Sequence, residues 1–400
     1  MSKISLNSEV FIRGVADIIT KEELESLLGN KKTLRIKHGI DATGPDLHIG
    51  HAANLWKLRK LQEIGHKAVI VLGDFTTRIG DPTGKTKSRP KLEEEQIEKN
   101  ISSIKLQIEQ ILLTDPSVYE VRRNSEWWES TNSKNFLQIL SLITHARLIE
   151  RDMFQERIKK GEEISVSEFL YPILQGYDSV AIKSDVTIIG SDQIFNEHLG
   201  RFLQEKFGQK AQVIIALELL PGLDGKQKMS KSANNFIGLL DSPRDKFGKT
   251  MKVVDGLIIP YLQSYTDVTM EDIADLQEKL NKNLNPKGAK LFLAEKLVER
   301  YHGKKTAQEE KENFESVFSK RELPEDIKVI KLSVTKCNPV ELLVHLKLAD
   351  SKSEAKRLLG QGAVEIDEKV LSLDDKEVDL GSGSVIKVGK RNFVRVEMTT

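Results

Sequence analysis

Short apolar runs alternate with helical patterns from residue 34 to about residue 217. Three runs, Val69–Leu72, Val186–Ile189 and Val213–Leu217, are rich in β-branched residues and bounded by glycine or charged residues, which indicates buried strands. Residues 52–64 carry apolar side chains at helical spacing, and a glycine follows them. Strands that alternate with helices are typical of an α/β fold with a doubly wound parallel sheet, so we predict a Rossmann-like domain.

The rest of the chain predicts an insertion and two further domains. Residues 92–169 are charged and helical in pattern, which indicates a partly helical insertion between two halves of the sheet. We predict that the Rossmann-like domain covers 1–220, that a helical domain beginning with a polar loop covers 221–325, and that a small α+β module covers 335–400. The segment 322–326 is expected to be a linker.

Charge and cysteine content narrow the classes of function. Lys and Arg number 61 and Asp and Glu 60, so a polyanionic partner would have to bind a local basic patch. The one cysteine, Cys337, excludes an internal disulfide framework and a cysteine-based zinc cluster, and it fits a reducing compartment. No apolar run approaches the roughly 18 residues of a membrane span, and the N-terminus lacks a secretory pattern, so we expect a cytoplasmic protein.

A histidine pair lies at the predicted start of the helix over 52–64. In the segment HIGH, His48 and His51 flank Gly50. A helix N-terminus offers unpaired N–H groups and positive dipole charge, which favour a phosphate chain, and the imidazoles can donate hydrogen bonds to it. Gly50 would let a nucleotide approach the backbone. Alone the motif is weak: a capped helix start remains an alternative, and so does a metal site, although no third ligand lies at suitable spacing.

A second motif, Lys228–Ser232 (KMSKS), lies in a polar stretch after Gly225. Two lysines three residues apart on a mobile loop can close over ATP and stabilise the charge that develops on its phosphates. An ordinary solvated basic loop is the alternative. HIGH upstream and KMSKS downstream together resemble the signature of the class I aminoacyl-tRNA synthetases.

Polar residues that suit an amino-acid substrate lie between these motifs. Tyr171, Gln175 and Asp178 have helical spacing and share one helix face. Asp81 lies at a tight turn, and the segment 191–193 (SDQ) follows a strand, where doubly wound sheets bind ligands. A polar helix edge and a simple turn are the alternatives for these residues.

From about residue 33 to the C-terminus, the chain resembles the bacterial tyrosyl-tRNA synthetases. The resemblance is carried by Gly73–Pro90, Glu168–Ser179 and Leu223–Asn235. It implies two substrates, tyrosine and ATP with Mg²⁺, and no protein-bound metal. It also implies tRNA(Tyr) as a partner, a homodimer, and a helical domain that binds the anticodon.

The same resemblance implies a role for each site residue. The catalytic residues would be Thr43, His48, His51, Lys228 and Lys231, and the ATP-binding residues would be Gly39, Gly50, Asp192, Lys228, Met229, Ser230 and Lys231. The tyrosine site would use Asp81, Tyr171 and Gln175 for the α-ammonium group, Asp178 for the phenol, Gln193 at the carboxylate end, and Asp41 along the adenylate.

Two positions depart from the pattern of the family. Lys37 occupies a position where one branch has a tyrosine that contacts the phenol, so we leave Lys37 out of the site. Ile189 replaces the first of two glycines before Ser191-Asp192-Gln193, and this can alter ATP affinity. A tryptophanyl-tRNA synthetase and an RNA-binding scaffold without catalysis remain alternatives.

The C-terminal module resembles a small RNA-binding module shared with a ribosomal protein. Residues 348–359 predict a capped helix, and Lys352, Lys356 and Arg357 can line one side of it. The resemblance implies that they bind tRNA, through phosphate contacts that would make binding salt-dependent. A solvated surface is the alternative.

Replacing Lys228 or Lys231 by alanine is expected to slow adenylate formation more than it weakens tyrosine binding, because the lysines act on charge that develops in the transition state. Pre-steady-state kinetics and tyrosine titration separate the two effects. Normal turnover in either variant would contradict this role.

Overall fold

The computed structural model describes residues 5–30, 33–82, 92–230, 233–282, 285–319, 327–332 and 336–398, the last range without 368, 374, 382, 390 and 391. The chain folds as two compact units, Met1–Lys311 and Glu312–Thr400.

The strands of the first unit are β1 Val15–Ile19, β2 Arg35–Asp41, β3 Lys67–Gly73, β4 Tyr119–Arg123, β5 Val186–Gly190 and β6 Val213–Leu217. Its helices are α1 Glu9–Ile12, α2 Lys21–Asn30, α3 Ile49–Glu63, α4 Asp74–Thr77, α5 Glu94–Glu109, α6 Ser125–Trp128, α7 Ser133–Ser141, α8 His145–Ile149, α9 Asp152–Lys159, α10 Val166–Ile182, α11 Ile194–Lys206, α12 Pro243–Thr250, α13 Ile258–Tyr265, α14 Met270–Asn281 and α15 Pro286–His302, with 3₁₀ turns at Ser191–Gln193 and Asp255–Leu257. Helix α16 covers Lys304–Ser319.

These strands form one sheet in the order β1-β6-β5-β2-β3-β4. Strands β2 to β6 run parallel to one another, while β1 runs antiparallel to β6 at one edge. The predicted α/β class, the three predicted strands and the predicted helix after HIGH are confirmed. Because strands β2, β3 and β5 are parallel, they end at the same edge of the sheet, at Asp41, Gly73 and Gly190.

The predicted insertion over 92–169 contains α5 to α9, but it also contains β4, which pairs with β3 and extends the sheet. The sequence prediction missed this strand. Its residues, YEVRR, are half-buried at the sheet edge and charged, so they lack the apolar run of a central strand.

Apolar residues cover both faces of the sheet. On one face, α3 and α5 pack Leu55, Leu58 and Ile104 against β2, β3 and β5. On the other face, α10 contributes Ile182, which packs against Val69 and Val71 of β3. In β5, Ile188 belongs to the first face, whereas Ile189 packs with Ile214 and Ala216 on the second. No helix among the described residues is long and apolar enough to cross a membrane.

The second unit is a small α+β structure with its own apolar core. Its elements are β7 Lys328–Leu332, β8 Lys336–Cys337, α17 Pro339–His345, α18 Lys352–Gly360, β9 Val364–Ile366, β10 Lys369–Val370, β11 Val378–Asp379, β12 Val385–Val388 and β13 Asn392–Met398. The described strands form a sheet in the order β10-β9-β12-β13-β7 and a separate β8–β11 pair. Strand β7 thus begins before residue 335, where the module was predicted to start. The predicted linker lies outside the described residues, and the domain boundaries stay predictions.

Candidate active site

The HIGH motif forms the start of α3, which lies beside the carboxyl edge of the sheet. His48 is the N-cap, and its Nδ1 accepts a hydrogen bond from the Gly50 backbone N–H at 3.2 Å. Nδ1 of His51 accepts one from the His48 N–H at 3.3 Å. Since Nδ1 is the acceptor in both rings, the neutral imidazoles carry their proton on Nε2 and present it as a donor. The predicted donor role of the two histidines therefore fits the geometry.

The structure explains the glycine at position 50 by contact with His48 rather than by the predicted close approach of a nucleotide. A Cβ atom at this position would lie 2.9 Å from Nδ1 and 3.0 Å from Cε1 of His48. A side chain would push the His48 ring away from its capping position. Gly39, by contrast, is exposed at the end of β2, and a Cβ there would meet no atom within 4 Å. Gly39 is therefore the glycine that leaves open space beside the backbone.

Two residues of the KMSKS motif, Lys228 and Met229, border the same cleft. Lys228 Nζ forms an ion pair with Asp192 Oδ2 at 2.6 Å, and Met229 is buried. The loop is held by a hydrogen bond from the Ser230 backbone N–H to Asn235 Oδ1 at 2.8 Å. Downstream, the Ile49 N–H donates to the Ile237 carbonyl at 3.0 Å, which ties this segment to the start of α3. Lys231 lies outside the described residues.

One cleft brings together the predicted site residues of the first unit. Among the predicted residues that the structure describes there, Ser230 alone does not border this cleft. Those that do are Gly39, Asp41, Thr43, His48, Gly50, His51, Asp81, Tyr171, Gln175, Asp178, Asp192, Gln193, Lys228 and Met229.

Tyr171 and Asp41 form one wall of the cleft. The Tyr171 hydroxyl donates to Asp41 Oδ2 at 3.0 Å, and Thr76 donates to Asp41 Oδ1 at 2.7 Å. Burial and the nearby carboxylates raise the pKa of Tyr171 well above its ordinary value. The phenol therefore keeps its proton, donates it in the hydrogen bond to Asp41, and presents its oxygen as an acceptor.

Asp178 lies deep in the cleft and is held by neutral donors. Its Oδ1 accepts hydrogen bonds from the indole N–H of Trp127 at 3.0 Å and of Trp128 at 3.4 Å, and Oδ2 accepts one from Asn124 at 3.4 Å. Burial raises the pKa of Asp178 to about 7, against the opposing effects of Lys37 and of these donors. The sequence prediction missed Asn124 and both tryptophans, because they follow β4, the strand that it also missed.

The amides of Gln175 and Gln193 are fixed by hydrogen bonds to neighbouring side chains. Gln175 Nε2 donates to Glu197 Oε1 at 2.9 Å, and Gln193 Nε2 donates to Asp81 Oδ2 at 2.8 Å. Asn196 donates to the side-chain oxygens of both glutamines at 2.8 Å. Asn196 and Glu197 were not predicted, although they closely follow the SDQ segment.

Lys37, which the sequence analysis left out of the site, is among the residues that border the cleft. Its side chain is almost fully buried and pairs with Glu197 Oε2 at 2.7 Å. A lysine in an otherwise buried strand is a signal that sequence reasoning could have used, because an unpaired buried ammonium is costly. Arg151 is a further residue that was missed: it is 6% exposed and lies 3.9 Å from Asp81.

No cluster of three or more His, Cys, Asp and Glu side chains that could hold a metal ion occurs among the described residues.

Comparison with protein families identifies the family of the chain. A family model described as tRNA synthetases class I (W and Y) matches residues 29–319. The chain belongs to this family. In this class I tRNA synthetase, residues of HIGH and the first two residues of KMSKS, Lys228 and Met229, thus border one cleft.

Curated relatives resemble this class I tRNA synthetase over nearly its whole length. The tyrosine–tRNA ligase of Thermotoga maritima is 42% identical over 97% of this chain and 96% of its own, and that of Moorella thermoacetica is 41% identical over 98% and 96%. A C-terminally truncated mitochondrial tyrosyl-tRNA synthetase of Coccidioides posadasii has the same fold: 78% of this chain and 92% of that one superpose with a TM-score of 0.62 at 24% identity.

The raised pKa of Asp178 predicts that the difference in free energy of unfolding between Asp178→Asn and the unaltered chain depends on pH. The carboxyl has a pKa of about 7 when folded and about 4 when unfolded, so folding prefers its protonated form. Its contribution to the free energy of unfolding is therefore most favourable below pH 4, declines as the pH rises, and levels off above pH 7. Asparagine does not titrate.

Urea unfolding between pH 4 and 8 measures this. The stability of Asp178→Asn relative to the unaltered chain should rise from pH 4 to 7 and stay level above. The exposed Asp275→Asn serves as the control and should show no such rise. A stability difference between Asp178→Asn and the unaltered chain that does not change with pH would contradict the raised pKa of Asp178.

Proposed function

We propose that the chain is a tyrosine–tRNA ligase, which activates tyrosine with ATP and transfers the tyrosyl group to tRNA(Tyr). The observation that carries this proposal is the single cleft with phosphate donors at its mouth and a buried carboxylate, Asp178, in its interior. Near-full-length identity of about 40% to proteins named tyrosine–tRNA ligase supports it. Because the family model covers enzymes for tryptophan as well as tyrosine, the choice of amino acid rests on these relatives and on the site.

The interior of the cleft suits a phenol. Asp178 would accept the hydrogen bond of the tyrosine hydroxyl, and a phenylalanine ring would leave this carboxylate without that partner, at a cost in free energy. Elsewhere in the cleft, Asp81, Tyr171 and Gln175 would offer oxygens to the α-ammonium group, with Gln193 at the carboxylate end. Asp41 would lie along the adenylate.

ATP, bound with Mg²⁺ as a substrate complex, would lie against the start of α3. His48 and His51 would donate from Nε2 to its phosphates, near Thr43 and the open space at Gly39. Asp192 would accept from the ribose hydroxyls. Because Lys228 now contacts Asp192, ribose binding would compete for that carboxylate and free Lys228 to turn toward the phosphates.

The reaction needs no protein nucleophile. The tyrosine carboxylate attacks the α-phosphorus of ATP, the bond to the bridging oxygen breaks, and pyrophosphate leaves. A ribose hydroxyl at the tRNA 3′ end then attacks the carbonyl carbon of the adenylate and releases AMP. The chain contributes positioning, which can supply roughly 7–11 kcal/mol in an ideally aligned reaction, and stabilises the developing phosphate charge with Lys228 and Lys231.

Several parts of the proposal rest on family resemblance. These are the homodimer, the cytoplasmic location, anticodon binding by the helical domain over 221–325, and tRNA binding by Lys352, Lys356 and Arg357. In the second unit these three side chains are exposed on α18, where Lys352 contacts Glu341 at 2.9 Å and Arg357 contacts Glu354 at 3.4 Å.

Pyrophosphate exchange into ATP tests the activity and the choice of amino acid. Tyrosine should drive exchange, whereas tryptophan and phenylalanine should not. In Asp178→Asn, the loss of a hydrogen bond to a charged group, worth about 1.5–3 kcal/mol, should lower kcat/KM for tyrosine roughly 10- to 150-fold. Asp275→Asn is the control. Exchange with tryptophan would identify the other enzyme of the family, and no exchange with either amino acid would leave a scaffold.

Salt dependence tests the tRNA surface. The triple variant Lys352→Ala/Lys356→Ala/Arg357→Ala should raise the KM for tRNA(Tyr), because fewer phosphates of the tRNA are then neutralised. The dependence of log KM on log salt should become shallower by roughly one for each phosphate that loses its cation. An unchanged slope would show that α18 does not bind the phosphate backbone.

A further inference from the structure

A continuous chain of buried and half-buried hydrogen bonds adjoins the proposed ammonium subsite. It begins at Lys37 in the middle of the sheet, which is 1% exposed. Lys37 Nζ donates to Ser179 Oγ at 2.6 Å and to Glu197 Oε1 and Oε2 at 2.9 and 2.7 Å. These contacts occupy the ammonium group within the protein, so Lys37 acts on the site through Glu197.

Glu197 determines which way the Gln175 amide faces. The carboxylate is 1% exposed and accepts from Gln175 Nε2 at 2.9 Å and from Gln212 Nε2 at 2.7 Å. An ionised carboxylate can only accept hydrogen bonds. Gln175 must therefore direct its Nε2 toward Glu197 and its Oε1 away from it.

The other end of the chain is also closed by a carboxylate. Gln193 directs its Nε2 to Asp81, so its Oε1 likewise faces away from the acid. Asn196, which is fully buried, lies between the two glutamines and donates one Nδ2 hydrogen to each Oε1 at 2.8 Å. The two carboxylates, Glu197 and Asp81, thus turn both glutamine Oε1 atoms toward Asn196. Each Oε1 keeps a lone pair beyond the one that Asn196 uses.

Lys37 is the counter-ion of Glu197 in this arrangement, with its Nζ 2.7 Å from Oε2. A neutral group in place of this carboxylate, such as an amide, could donate to Gln175. Gln175 could then turn over and present its NH₂ group to the cleft. An NH₂ group repels an ammonium ion, whereas an amide oxygen attracts it.

We propose that Lys37, Glu197 and Asn196 are positioning residues that hold the Gln175 amide oxygen toward the amino group of the substrate and so make this subsite selective for a cation. The proposal rests on tyrosine being the substrate, as argued above. It assigns the three residues an effect on the amino end of tyrosine and none on its phenol, which lies at Asp178.

The test compares tyrosine with 3-(4-hydroxyphenyl)propanoate, which has the phenol and the carboxylate but lacks the amino group. Two variants are used: Glu197→Gln, whose amide can donate to Gln175, and Lys37→Met/Glu197→Gln, which has the same change without an unpaired buried lysine. The dissociation constant of each ligand is measured by equilibrium dialysis, and pyrophosphate exchange is measured in parallel.

The preference for tyrosine over the desamino compound should fall about tenfold or more in both variants, since a charge-assisted hydrogen bond is lost. Affinity for the desamino compound should change less than about threefold, and discrimination against phenylalanine should persist. If these variants fail to fold, Asn196→Ala removes the two hydrogen bonds in the middle of the chain and should lower the same preference by a smaller factor.

The matched control is Glu120→Gln. It makes the same substitution in another ion pair of this sheet, in which Arg35 lies 2.8 Å from Glu120. This pair lies at the opposite end of the strands from the cleft, so the variant should leave the preference for tyrosine over the desamino compound unchanged. A folded variant with an unchanged preference, or with equal losses for both ligands, would overturn the proposal. Absence of tyrosine-dependent exchange in the unaltered chain would instead overturn the proposed function.

Discussion

The close crossing of α10 and α11 is the contact on which the candidate site depends. Gly176 and Gly200 face each other there, and a Cβ atom on Gly176 would lie 2.9 Å from the Gly200 backbone nitrogen. Any side chain would separate the two helices. Because the crossing is this close, Gln175, one residue from Gly176, lies within hydrogen-bonding distance of Asn196 and Glu197. The positions of these side chains thus follow from a backbone contact rather than from their own packing.

The helix crossing can form the site only because the sheet places further polar side chains opposite it. Strands β2 and β5 are adjacent and parallel, so Lys37 in β2 lies within reach of α10 and α11 where they cover one face of the sheet. The ends of β2 and β5 deliver Asp41 and the SDQ segment to the same edge, and α3 starts beside them. The cleft therefore combines one face of the sheet, its carboxyl edge and a helix N-terminus, and each of these supplies a different part of the chemistry.

Much of this could be predicted from the sequence, because the relevant signals are local. Apolar β-branched runs identified β3, β5 and β6, and the spacing of Tyr171, Gln175 and Asp178 placed them on one face of a helix. HIGH and KMSKS are contiguous motifs. The missed features depend on distant partners: Lys37 and Glu197 are 160 positions apart, and a charged residue reveals its partner only when the fold brings them together. β4 was missed because an edge strand needs no apolar run.

The buried charges explain why the two ends of the proposed tyrosine site differ. The single ammonium group of Lys37 lies against Glu197, and among the described residues no cation lies within 4 Å of Asp178. Asp178 must therefore be stabilised by the neutral N–H groups of two indoles and one amide, and burial leaves its pKa near 7. An acid that is poised in this way can hydrogen-bond a neutral phenol hydroxyl. At the other end, Glu197 is paired with Lys37, and it orders amide oxygens suited to a cation. One buried lysine, placed nearer to one carboxylate than to the other, thus gives the two ends of a single cleft different ligand preferences.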